Sequence, residues 1–223
     1  MRTVKRALPL ATALLLVLGS HAGRAADPAP DASPTFLSRA EWQAEKATLP
    51  MTRHTQGIRE ITVHHSESRG ITPESELACV RAIQTYHLRG AAQEGRKLFP
   101  DIAYHFLIGP SGKIYVGRDP EYQGSSFTNY DLDGHLLICL IGDFRDAREQ
   151  TRDGNAVQPD ERPTGAAKHA LVSLIARQLK ALALTPAAVR THRDLAASTT
   201  CPGRFLEDWL RQEGRAEIAR LVK

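Results

Sequence analysis

The sequence has little that would serve a membrane, a nucleic acid or a disulfide scaffold. Its longest apolar stretch, residues 7–18, is broken by Pro9 and Thr12 and is too short to cross a bilayer as a helix. Cysteine is scarce and odd in number: Cys79, Cys139 and Cys201. Three thiols cannot all pair, and so sparse a set does not make a disulfide framework. Acids are missing from residues 1–25, where Arg2, Lys5, Arg6 and Arg24 by themselves match the formal net charge of +4. The rest of the chain is therefore near neutral, which argues against a basic surface for nucleic acid. Glycine and proline signal neither collagen-like sequence nor a chain disordered throughout, and no internal repeat is visible.

What is present begins with an export pattern. A positive start, an apolar run and then small residues make the three parts of a signal peptide over residues 1–25, with cleavage expected after Ala22 or Ala25. No cysteine follows the run, so a lipoprotein anchor is not expected, and the short run argues against a retained anchor. Residues 26–35, rich in Ala, Pro and Asp, read as a disordered spacer. One folded domain is expected over residues 36–223, in the periplasm or secreted, and as a monomer.

Within that domain, residues 60–63 form a short β-type run leading into His64 and His65. Thr72, Pro73 and Glu74 are a cap, a first-turn proline and a first-turn acid, predicting a helix to about Leu88 with Val80, Ile83 and His87 on one face. Residues 104–108 and 113–116 flank Gly109-Pro110-Ser111-Gly112 as a hairpin. Residues 136–141 suit a buried strand, and residues 145–162 a surface loop. Thr164 caps a second helix striped by Leu171, Leu174, Ile175, Leu179 and Leu182. Residues 188–191 are a strand ending at His192, and a last helix falls within residues 205–222. Strands mixed with helices indicate an α/β or α+β domain around one sheet.

His64, His192 and Cys201 could form a zinc site. Two imidazoles and a thiolate are a common Zn²⁺ set, and a fourth position left to water makes such a site catalytic. Both histidines follow strand ends. Pro202 and Gly203 turn the chain sharply after Cys201. A thiolate held on metal would also account for the odd cysteine. Residue by residue the signal is weak, since a histidine at a strand end is more often structural. Packing is the plainer role for Trp42 and Trp209, and His105 alternates away from Tyr104 along its strand. His135 could line a groove or sit at the surface. Cys79 and Cys139 read as buried thiols or a pair.

The chain resembles the zinc-dependent N-acetylmuramoyl-L-alanine amidases, which share a domain with phage lysozyme-like amidases and animal peptidoglycan recognition proteins. The resemblance rests on ordered blocks: Ser38-Arg39-Ala40-Glu41-Trp42, Ile61-Thr62-Val63-His64-His65-Ser66, and the helix from Val80 to His87. It continues through Asp101 to Gly109, Gly112 to Arg118, His192-Arg193-Asp194 and Cys201-Pro202-Gly203. It implies a mixed α/β fold, with a central mixed β-sheet flanked by helices and a zinc groove on one side. It implies metal ligands at His64, His192 and Cys201; His65 is not carried over, because the second histidine of that pair varies. Tyr104 and Thr199 match catalytic positions, and His87 is a candidate for the substrate groove. Cys201 lies nine positions after His192, where the family usually has eight, so Ser198 or Thr200 could stand in for Thr199.

The activity implied is zinc-dependent hydrolysis of the amide between the lactyl group of N-acetylmuramic acid and L-alanine in peptidoglycan or muropeptides. Two other readings differ in class. A binding module would keep the fold without cutting, and would be expected to lose the cysteine or the tyrosine. A Cys–His hydrolase using Cys201 and His192 would leave His64 without a role.

Overall fold

The computed structural model describes residues 33–147, 149 and 161–223. The expected signal peptide, most of the spacer and most of the loop expected at 145–162 lie outside the described residues. Six strands make one mixed sheet in the order β1-β4-β3-β5-β2-β6: β1 (Phe36–Leu37), β2 (Glu60–His65), β3 (Phe106–Ile108), β4 (Ile114–Val116), β5 (His135–Leu140) and β6 (Val189–Thr191). Only β3 and β4 pair antiparallel, joined by the Gly109–Gly112 turn expected for a hairpin. The other neighbours are parallel.

Alternation along the strands divides the core between two faces. Ile61, Val63, Leu136, Ile138 and Leu140 point to one face, packed under α2 (Gly165–Ala181) and the C-terminal helices α4 (Arg204–Trp209) and α5 (Arg215–Val222). Leu107, Tyr115 and Cys139 point to the other, where Trp42 and Val80 of α1 (Glu76–Thr85) cover them. His64 follows Val63, so it lies on this second face. The central strand β5 is buried at every residue, as a continuous apolar run between parallel neighbours requires.

Thr164 caps α2 as expected, its hydroxyl accepting from Ala167 N–H at 3.0 Å. The first helix begins later than the Thr72 cap predicts. Thr72 to Ser75 form a turn, Glu76 N–H donates to Thr72 O, and α1 starts at Glu76. The reason is tertiary. Glu76 is buried, and its carboxylate accepts from Ser111 N–H and Oγ and from Tyr115 OH. A buried carboxylate needs such partners. Beyond Thr85 the chain continues through a π turn, Tyr86–Gly90, which carries His87.

Trp42 and Trp209 are both buried in the core. The ring of His105 accepts from Leu137 N–H and faces Tyr122 O, away from Tyr104. His135 bonds Thr62 Oγ1 at 2.9 Å. All three cysteines are free thiols.

Candidate metal centre

Parallel pairing brings the site together. Val63 of β2 pairs with Thr191 of β6, so the next residues, His64 and His192, emerge side by side at the carboxyl ends of neighbouring strands, where parallel sheets commonly place ligands. Their rings are 4.5 Å apart between centroids. His192 opens the short helix α3 (His192–Leu195), fixed by a capping box in which Thr191 and Asp194 bond each other's backbone. Cys201 comes from the loop between α3 and α4, and its Sγ lies 3.6 Å from His64 Nδ1. Gly203 (φ 82°) then brings this loop against residue 144; a Cβ there would sit 2.3 Å from the Phe144 carbonyl carbon. One donor atom from each of His64, His192 and Cys201 falls within 4.8 Å of the others, and all three residues are buried.

The donor set suits zinc. Burial, and then the neighbouring His192, hold the His64 pKa well below its usual value, so it is a neutral ring with a lone pair to offer. Burial also pushes the Cys201 thiol up. Without a cation the sulfur keeps its proton; a divalent ion would favour the thiolate. His65 N–H already points at the sulfur from 3.4 Å, a donor suited to a thiolate.

Two residues that the sequence did not single out address the outer edges of the rings. Thr128 Oγ1 lies 2.5 Å from His192 Nε2, and Tyr130 OH lies 3.4 Å from His64 Nε2. Metal-binding histidines commonly use their second nitrogen this way, which fixes ring orientation. Arg193 steadies the third donor: its guanidinium donates to Thr199 O at 3.3 Å and Thr200 O at 2.7 Å, just before Cys201, and to Glu207 at 2.8 Å.

The three donors line a cavity of about 590 Å³. Tyr104 lies on its wall, its ring 5.4 Å from that of His64. Its position depends on Gly117, where a Cβ would meet Tyr104 O at 2.2 Å. Burial pushes its hydroxyl well above the usual range, so it stays protonated. His87 lines the same cavity beyond Tyr104, 5.8 Å between rings, and leads to a stacked pair, Phe99 and Phe127, 4.4 Å apart. Its Nδ1 accepts from Ala103 N–H, and burial lowers its pKa to about 3. Thr199 lines this cavity and a second one of about 700 Å³, whereas Ser198 and Thr200 line the second alone. Of the three hydroxyls, Thr199 is thus the one that shares a cavity with the donors. Its Oγ1 accepts from Cys201 N–H at 3.1 Å.

The family described as N-acetylmuramoyl-L-alanine amidase matches residues 54–204. Among curated proteins, the chain is 30% identical over 111 residues to peptidoglycan-recognition protein SD of Drosophila melanogaster, covering 50% of this chain and 56% of that protein. It is 29% identical over 136 residues to peptidoglycan-recognition protein SA of the same organism, covering 60% and 62%. The chain thus spans only about half to three-fifths of these relatives' length. Among solved structures, Drosophila peptidoglycan recognition protein SD superposes with a TM-score of 0.65 at 25% identity, over 81% of this chain and 95% of that one. Human PGRP-IBETAC, solved in complex with glycosamyl muramyl pentapeptide, gives a TM-score of 0.62 at 26% identity, over 81% and 96%.

Proposed function

The chain belongs to the N-acetylmuramoyl-L-alanine amidase family, and on that premise we propose that it is a zinc hydrolase cutting the amide between the lactyl group of N-acetylmuramic acid and the first residue of the stem peptide. The observation that carries this reading is the meeting of His64, His192 and Cys201 on a cavity wall beside Tyr104. A module that only bound peptidoglycan would have no need of three buried donors. A Cys–His hydrolase is disfavoured because burial keeps the Cys201 thiol protonated, whereas the thiolate is the nucleophile.

Bound to these donors, zinc would polarise the scissile carbonyl and lower the pKa of a coordinated water toward ~7. Tyr104, protonated at every physiological pH, donates a hydrogen bond to the carbonyl oxygen as its negative charge grows. Thr199 accepts from Cys201 N–H, so its own hydroxyl proton is available to the substrate. His87 and the aromatic pair beyond it form a wall along which the stem peptide lies. Thr128 and Tyr130 hold the two imidazoles in orientation. We further propose that residues 36–223 act as one domain and that the export pattern of residues 1–25 directs it to the periplasm or outside the cell.

Mass spectrometry of digested peptidoglycan tests the reading. Free stem peptides beside glycan bearing intact lactyl carboxylates, lost with a chelator and restored by zinc, are expected. Peptides shortened from their far end would make it a peptidase; sedimentation with peptidoglycan and no release would make it a binding module.

A further inference from the structure

Amide hydrolysis takes a proton from water and must return one to the departing nitrogen. Tyr104 and Thr199 are hydroxyls, and neither cycles a proton near pH 7. His87 is kept neutral by burial, with a pKa of about 3. Burial also pushes the Cys79 thiol up. The remaining cavity-lining groups that could accept a proton, His64, His192 and Cys201, are assigned to the metal, and His65 already accepts from Phe144 N–H and is kept neutral by burial.

Glu67 is the one carboxylate lining either cavity among the described residues, and it lines both, sharing the first with the three donors. Its backbone is left-handed, φ 58°, a conformation side chains avoid and one that gathers at functional sites. Arg145, buried and paired to Asp143 through two nitrogens at 2.8 and 2.7 Å, lies 3.4 Å from Glu67 Oε2. His65 Nδ1 accepts from Phe144 N–H, so the ring proton sits on Nε2, 3.8 Å from Glu67 Oε1. The carboxylate is thus propped from behind by Arg145 and His65. Its negative charge is felt at Cys201 and Tyr104, contributing to the rise of both pKa values.

We propose that Glu67 is a catalytic residue, the proton carrier of this site. The inference rests on the amidase reading and adds the group that reading lacks. As the water oxygen bonds to the lactyl carbonyl carbon, a water proton passes to the Glu67 carboxylate. The C–N bond then breaks with its electron pair on nitrogen, which takes the proton from Glu67. The glycan keeps a carboxylic acid, the peptide leaves with a free amine, and Glu67 ends as it began.

The test compares wild type, Glu67→Gln and Glu67→Asp. Glutamine keeps the shape and removes the base; aspartate keeps an acid, set back by one methylene. For Glu67→Gln, kcat on a defined muropeptide should fall about 10²-fold or more. Zinc per chain, and the Kd of the same muropeptide for the metal-free protein by calorimetry, should match wild type. Glu67→Asp should recover part of the rate. A Glu67→Gln protein that cuts within a few-fold of wild type, or that loses zinc or muropeptide binding instead of kcat, overturns the assignment. A wild type that cuts nothing overturns the amidase reading, and the assignment falls with it.

Discussion

The groove has two ends, held by different forces. At the metal end, each donor is held by directional bonds. His64 faces Tyr130, His192 faces Thr128, and the Cys201 loop is gathered by Arg193 through two main-chain carbonyls. At the far end the contacts are rings on rings: Phe99 on Phe127, His87 against Phe99 at 5.1 Å, and Arg96 over Phe127 at 5.1 Å. Hydrogen bonds are steep in distance and angle; aromatic contacts tolerate a broader range of placement. The metal end is therefore built to hold atoms still, and the far end to follow the shape of what lies on it. Damage should be abrupt at the first and graded at the second.

The sharpest way to break this contrast is Cys201→Ser. A hydroxyl near pH 7 is a poor zinc ligand, so zinc affinity should fall by more than the ~10–100-fold commanded by hydrogen-bond partners of the ligands, and activity with it. Stoichiometric zinc in the purified variant, by metal analysis, would mean that the donor set is wrong. Next in size is Tyr104→Phe, which keeps the ring and removes one donor. Steady-state kinetics should show kcat lower by about 10²-fold or more, with KM and zinc content little changed. Loss of zinc instead would make Tyr104 a support of the metal end.

Thr128→Val and Tyr130→Phe probe the outer ring of that end. Each should weaken zinc binding by roughly 10–100-fold in a chelator competition, without unfolding the protein. If neither moves zinc affinity, directional support is not what fixes the histidines.

A different kind of effect concerns stability in acid. His65 and His87, one at each end, have pKa values lowered by burial from 6.5 to about 3. Between those values the unfolded chain binds protons that the folded chain refuses. Their contribution to stability is therefore complete above pH 6.5 and is lost as pH falls toward 3, by up to ~1.4 kcal/mol per pH unit for each ring. Urea unfolding of the metal-free protein from pH 7 to 4 should show a shallower loss in His87→Gln than in wild type. An identical slope would mean that His87 takes up its proton without leaving its site.

Some of this molecule is written locally. The Gly109–Gly112 turn, the Thr164 cap and the apolar run of β5 each depend on neighbours a few residues away, and they appear where the sequence puts them. The residue types His64, His192 and Cys201, with the sharp turn at Pro202 and Gly203, are equally visible, and the family blocks around them give the mixed sheet. The start of α1 at Glu76 is less legible: its backbone bonds Thr72 nearby, but its carboxylate is held by Ser111 and Tyr115, more than thirty positions away. Thr128, Tyr130 and Glu67 carried no signal: a polar residue in a loop looks alike whether it faces solvent or an imidazole. What assigned them was the strand order β3-β5-β2-β6, which sets residues 126–130 against histidines more than sixty positions away. Sequence by itself determined which chemical groups the chain owns and its local turns and caps. Tertiary structure alone decided which groups meet, because hydrogen bonds act over about 3 Å and strand pairing is what closes that distance.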